Sequence, residues 1–216
     1  MSLLIHSCCG QCLCSLLDVI RQPEGSPRSA AGAGSSVDAA TGIIATDAVA
    51  CLFDNPNIHP LIEFRRRLKA FRILCEQVGL PALVNDEYEL AEFLDAVDYH
   101  SPERRCLDCY RLRLERTAER ARAGGFDSFT TTLLVSPQQK HDQIRRIGEE
   151  AAREAGVRFL YHDWRDLCER GHQEARRRKL YLQQYCGCIF SEAGRYGQTR
   201  LHLYRGGDGG GEADET

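Results

Sequence analysis

The stretch SLLIHSCCGQCLC, residues 2–14, joins a short apolar run directly to four cysteines within seven positions. Residues 2–7 have the length and apolarity of a buried strand, and residues 12–21 follow as a helix. Only a tight loop separates the two, so the thiols fall at the carboxyl end of a first strand. Thiols this dense admit four readings: a disulfide knot, a zinc clamp, a redox pair, or an iron–sulfur centre.

Downstream, the same alternation repeats. Residues 49–53 read as a second strand ending in the turn-like DNPN. Residues 61–78 carry Leu61, Phe64, Leu68, Phe71 and Cys75 at three- and four-residue steps, the stripe of an amphipathic helix. Residues 81–85 form a third strand. Ser101 followed by Pro102 is a helix start, opening a helix to about residue 123. FTTTLLV, residues 129–135, is β-branched and apolar and reads as the best strand of the chain. SPQQ, residues 136–139, has the pattern of a capping box and predicts a helix to residue 155. A strand at 158–162 and a helix from about 164 complete the series. Alternating strands and helices argue for an α/β, Rossmann-like three-layer domain: a parallel sheet with helices on both faces. In such sheets ligands gather at the carboxyl ends of strands, and here the first strand-to-helix loop carries thiols where a nucleotide binder keeps glycines.

Composition bounds the rest. The 216 residues suit one α/β domain over 1–204; 43% are hydrophobic and 27% charged, as in ordinary globular chains. Residues 22–48 are Gly-, Ala-, Ser- and Pro-rich at their start and are expected to be an inserted, disordered loop; the Gly-rich acidic tail 205–216 is expected to be disordered too. No apolar run reaches the ~18 residues of a membrane span, and the N-terminus lacks a basic, long-apolar leader. A cytoplasmic setting follows as an expectation, with no membrane partner. In that reducing setting eleven cysteines point to metal, cluster or catalytic thiols rather than a disulfide framework. The net charge of −3 gives no global signal for nucleic acid.

Three thiol clusters stand out: Cys8, Cys9 and Cys12; Cys106 and Cys109, which share a helix face at i, i+3; and Cys186 with Cys188. Structural zinc prefers two knuckles of the C-x₂₋₄-C kind. Cys106 and Cys109 make one, whereas the adjacent Cys8 and Cys9 diverge and suit a larger [4Fe–4S] body. Zinc and a purely redox dithiol remain alternatives. Gly10 and Gly187 allow close backbone approach. Cys14, Cys51, Cys75 and Cys168 have no partner spacing and read as small core or surface residues.

CCxxC after the first strand, FDNPNIHP, RCLDCYRLRLERTA, FTTTLLVSP and YCGCIFSE occur in that order. Together they resemble the QueH-type epoxyqueuosine reductases over most of residues 3–192. The resemblance implies a fold of the adenine-nucleotide α-hydrolase (HUP) type that has exchanged ATP chemistry for a [4Fe–4S] cluster. It implies reduction of the epoxide of epoxyqueuosine to queuosine at the wobble base of tRNA with GUN anticodons (Asp, Asn, His and Tyr types). Cys8, Cys9, Cys106 and Cys109 are then the cluster ligands and Cys12 a metal-facing neighbour. Cys186 and Cys188 become a redox pair or ligands of an additional iron ion. A ferredoxin or flavodoxin is the expected low-potential donor, and the chain is expected to be a monomer. A zinc-stabilised, non-catalytic RNA-binding module is the competing reading. A nucleotide-activating, thiolating enzyme of the same fold ranks last, since no SGGxDS-like phosphate loop precedes the first helix.

Removing the epoxide oxygen needs a proton donor; Asp108 is the first candidate, with His6, His59 and Tyr110 beside it. For gripping tRNA the candidate patches are Arg65, Arg66, Arg67, Lys69 and Arg72; Arg104, Arg105, Arg111 and Arg113; and Arg176, Arg177, Arg178 and Lys179, the last group being favoured. Tyr110 or Tyr185 is expected to stack on a flipped-out wobble base.

Overall fold

The computed structural model describes residues 2–21 and 36–198. Its strands are β1 (Ser2–His6), β2 (Ile20–Arg21), β3 (Ser36–Val37), β4 (Ile44–Ala45), β5 (Ala48–Phe53), β6 (Ala82–Val84), β7 (Ser128–Thr131) and β8 (Arg158–Phe159). Its α-helices are α1 (Gly10–Cys14), α2 (Leu61–Val78), α3 (Leu90–Ala96), α4 (Pro102–Ala123), α5 (His141–Ala155), α6 (Cys168–Arg177) and α7 (Ile189–Tyr196).

Five strands make one sheet in the order β6-β5-β1-β7-β8, every pair parallel. Leu3, Leu4 and Ile5 of β1 are fully buried, as a central parallel strand covered on both faces must be. The chain first winds from β1 through β5 to β6, then returns across β1 to β7 and β8. Winding reverses between β1 and β7, which places the crevice of a doubly wound sheet at their carboxyl ends. Helices α1, α2 and α6 pack together, as do α4 and α5. The expected three-layer α/β fold is therefore the observed one.

Where sequence pattern and side-chain capping agree, so do expectation and structure. Helix α2 spans the whole predicted stretch and ends at Gly79, which adopts φ 68. Ser101 Oγ accepts the Arg104 amide at the start of α4, with Pro102 in its first turn. Gly10 lies where a Cβ would come within 2.7 Å of the Ala70 carbonyl oxygen, so α1 rests directly on the backbone of α2.

Four expectations are corrected. The first helix is five residues, not ten: after Cys14 the chain tightens into turns and Ile20 leaves to pair with Ile44. Residues 129–135 are strand only to Thr131, because Thr131 Oγ1 accepts the Leu133 amide and winds Thr132–Val135 into a 3₁₀ turn. Residues 136–139 are a hydrogen-bonded turn, the Gln139 amide donating to the Ser136 carbonyl, rather than a helix start, and α5 begins at His141. Residues 36–48 are ordered: β3 and β4 form a small sheet with β2, and the Gly42 carbonyl accepts the Trp164 indole N–H. Residues 22–35 and the tail lie outside the described residues. No helix among the described residues is long and apolar enough to cross a membrane.

Candidate metal centre

The thiol loop sits on a buried polar footing. His6, the last residue of β1, has no exposure; its Nδ1 lies 2.8 Å from Thr131 Oγ1 and its Nε2 3.2 Å from Asn55 Oδ1. Asn55 Nδ2 donates to the Ser7 carbonyl, which fixes Oδ1 as the acceptor, so Nε2 carries the imidazole proton. Arg113 from α4 donates to the same Oδ1 at 2.8 Å. Burial, then the Arg113 charge, lowers the His6 pKa to about 3, and the ring stays neutral. His6 thus joins four segments beneath the site and is not free to donate a proton.

Cys8, Cys9 and Cys12 stand on this footing with their sulfurs within 4.8 Å of one another, the one such compact group of potential metal donors among the described residues. All three are buried. Cys9 takes the N-cap place usually held by Ser or Asp: its sulfur accepts the Cys12 amide at 3.4 Å. Hydrogen bonds from Cys12 and Cys9 draw the Cys8 thiol well below its ordinary pKa. Burial raises Cys9, and donation to Cys8 raises Cys12. Within the trio the charged form is therefore favoured at Cys8 over Cys9 and Cys12. Three thiol sulfurs converging on one point are the chemistry of a site that could hold a metal.

Two arginines expected to grip RNA are buried instead. Arg67 and Arg113 are 0% and 1% exposed, and both place positive charge beside the trio. Arg67 pairs with Glu63 at 2.6 Å and donates to Gln183 Oε1 and to the carbonyls of Tyr185 and Cys186. Gln183 in turn donates to the Cys12 sulfur at 3.4 Å. Gly187, at φ 122, leaves room for Arg67: a Cβ there would lie 3.1 Å from the guanidinium. Arg67 thereby straps residues 183–187 over the trio.

The second thiol set gathers around Arg113. Burial raises Cys109 to about 11, against the pull of Arg113, while Cys188 and Cys106 add negative charge nearby. Cys186 donates to Cys188, which raises Cys186 and lowers Cys188 to about 5; the Ser191 amide helps hold that sulfur, as the N-cap of α7. Cys106 and Cys109 share the first turns of α4 but lie outside the compact trio.

A cavity of about 260 Å³ opens beside the trio, walled by Cys8, Gln11, Cys12 and Ser15, by Thr132, Leu133 and residues 135–139 after β7, and by Cys168, His172 and residues 183–186. It lies at the β1/β7 reversal of the sheet. Asp108 is not among its walls; its Oδ2 accepts the Asp98 amide. Tyr110 is buried with its hydroxyl donating to Gln139, so it is not the open stacking face expected of it. His59 is buried among Tyr88 and Phe93, away from the cavity. Tyr185 does line the cavity, with Arg67 stacked 5.5 Å from its ring. Arg176, Arg177 and Lys179 are exposed at the end of α6, where Arg176 meets Glu169 and Arg177 meets Glu174. Asn55, Thr132, Gln139 and Gln183 were not anticipated as partners of the site, although Asn55 lies in DNPN, Thr132 in FTTTLLVSP and Gln139 in SPQQ.

A parallel α/β sheet whose switch point holds a buried trithiol that could bind a metal, flanked by buried arginines and a second thiol set, defines a thiol-rich protein of Rossmann-like fold. The family model for epoxyqueuosine reductase QueH matches residues 36–194, and this chain belongs to that family. The matched stretch includes Cys106, Cys109, Cys186 and Cys188 and begins after the trio. An epoxyqueuosine reductase QueH of Dehalococcoides mccartyi is 38% identical over 151 residues, 70% of this chain and 82% of that protein. One from Thermotoga maritima is 35% identical over 148 residues, 64% of this chain and 77% of that one. One from Helicobacter pylori is 37% identical over 64% of this chain, a stretch that spans 40% of the longer relative.

Proposed function

We propose that this chain reduces the epoxide of epoxyqueuosine in tRNA to the alkene of queuosine. The observation that carries the reading is the buried Cys8–Cys9–Cys12 trio at the β1/β7 switch point of a chain in this family. The reaction balances as epoxide plus two electrons and two protons giving alkene and water.

The donor chemistry fits an iron–sulfur cluster: thiols only, largely shielded from water, with two guanidinium groups to offset an anionic centre. A [4Fe–4S] cluster held by Cys8, Cys9, Cys106 and Cys109, with an additional iron ion near Cys12, would supply low-potential electrons to the carbon–oxygen bond. The Arg113 charge is felt by Cys8, Cys109 and Cys186 alike, which supports a centre drawing on both thiol sets. Cys186 and Cys188 serve as a dithiol, which yields two electrons on closing to a disulfide, or as ligands of the extra iron. The strap 183–187 and the walls of the cavity exclude water from the reacting ring. Asp108, held away from the cavity, acts through the α4 start that carries Cys106 and Cys109 rather than on substrate.

The substrate strand enters along exposed Arg176, Arg177 and Lys179, and Tyr185 offers its ring to the wobble base. The tRNAs are those with GUN anticodons, read as a monomer in the cytoplasm, with a ferredoxin or flavodoxin as donor. A specific observation also keeps zinc in play: thiols within 4.8 Å suit one tetrahedral ion, as a non-catalytic RNA-binding module would need. The test is anaerobic incubation of the iron-loaded protein with reductant and epoxyqueuosine-bearing tRNA, followed by nucleoside mass analysis. Loss of one oxygen mass supports the reading; an unchanged nucleoside defeats it.

A further inference from the structure

Helix α1 and its flanks turn one stripe toward the cavity: Cys8, Gln11, Cys12 and Ser15, spaced at three and four residues. Two of these are thiols of the trio. The other two carry polar atoms with nothing to bond. Gln11 is 3% and Ser15 4% exposed, yet Gln11 Oε1 and Ser15 Oγ have no hydrogen-bond partner among the described residues. Buried polar side chains in a folded chain are nearly always satisfied, and an exception calls for a reason.

The neighbouring polar groups are already engaged. Gln139 is bonded to Tyr110 and Cys186, Gln183 to Arg67 and Cys12, and Thr132 Oγ1 to the Cys8 amide. Gly171 of α6, packed directly against Ser15, keeps room for the hydroxyl: a Cβ there would fall 1.8 Å from Ser15 Oγ. The fold thus maintains an amide oxygen and a hydroxyl, both dry, one helical turn apart and on either side of Cys12.

We propose that Gln11 Oε1 and Ser15 Oγ are the subsite for the hydroxyl groups of the substrate's epoxidised cyclopentane ring. The amide oxygen can only accept, so it requires a donor, which a ring hydroxyl supplies; the serine hydroxyl accepts or donates as the second ring oxygen requires. Their place beside Cys12 puts the group they hold next to the reacting carbons, not on the distant base or phosphates. Gln11 and Ser15 are therefore specificity-determining residues that orient the ring over the thiol centre. This rests on the reductase reading above.

The test compares two tRNAs, one bearing epoxyqueuosine and one with guanine in its place, titrated anaerobically against iron-loaded protein. The wild type is expected to favour the ring-bearing tRNA. Gln11→Met and Ser15→Ala should each erode that preference by on the order of tenfold, the scale of one buried hydrogen bond. Affinity for the guanine tRNA and the visible absorbance should stay unchanged. Variants that keep the full wild-type preference would overturn the subsite while leaving the reductase reading intact. A wild type that neither discriminates nor turns over would bring down both. If Gln11→Met folds poorly, the Ser15→Ala arm decides.

Discussion

The two thiol regions are held in opposite ways. Cys8, Cys9 and Cys12 leave a fully buried central strand and enter a helix capped by one of their own sulfurs, so local backbone places them. Cys186 and Cys188 sit in a strap with no regular structure until α7 begins, positioned by side chains distant in sequence. Arg67 grips it through carbonyls more than a hundred residues away, and Tyr185 donates to the His59 carbonyl. The first arrangement suits a rigid ligand set; the second suits thiols that must change partners during a reaction.

The sharpest way to break this contrast is to exchange serine for one cysteine on each side. Cys9→Ser should abolish the chromophore and turnover together, measured by visible absorbance and nucleoside analysis. Cys188→Ser should keep the chromophore and lose turnover. Matching losses in both variants would erase the distinction between holding and reacting thiols.

Next in size is the strap itself. Arg67→Met leaves the buried Glu63 carboxylate without its cation, with only the Tyr181 hydroxyl to bond, and should cost about 3–5 kcal/mol in denaturant unfolding. Hydrogen exchange should rise in residues 183–188 while β1 stays protected. Equal exchange in the two regions would show that the strap is held otherwise.

His59 sharpens the contrast by pH. It is fully buried beneath the strap, and burial lowers its pKa below the ordinary ~6.5. As pH falls through that value the unfolded chain takes a proton that the folded chain refuses. Stability present above ~6.5 is therefore lost below it, by up to about 1.4 kcal/mol per pH unit. His59→Phe should flatten this part of the slope of melting temperature between neutral and mildly acid pH.

The smallest effect is expected at Arg177, whose exposed pairing with Glu174 contributes within about 1 kcal/mol to stability. Arg177→Ala should leave melting almost unchanged yet weaken tRNA binding and reduce its salt dependence.

The same contrast explains what could be read from sequence. Strand β1, helices α2 and α4, and the thiol loop announce themselves through apolar period, Ser101, Pro102 and cysteine spacing, all local signals. The sheet order followed from their alternation. Residues 36–48 gave no such signal, because their order comes from Ile20 and Trp164, partners far along the chain. The arginine runs misled for the same reason: Arg65 and Arg67 look alike in sequence, but only Arg67 faces inward, to Glu63 and the strap. Ser136 has a capping pattern, yet the turn it occupies serves as a cavity wall and α5 starts five residues later.

Iron and acid-labile sulfide per chain in anaerobically isolated protein test the reading of the trio most directly. About four sulfides and five irons, in a brown protein that bleaches on reduction, is the expected result. A colourless chain holding a single zinc ion and no sulfide would contradict it.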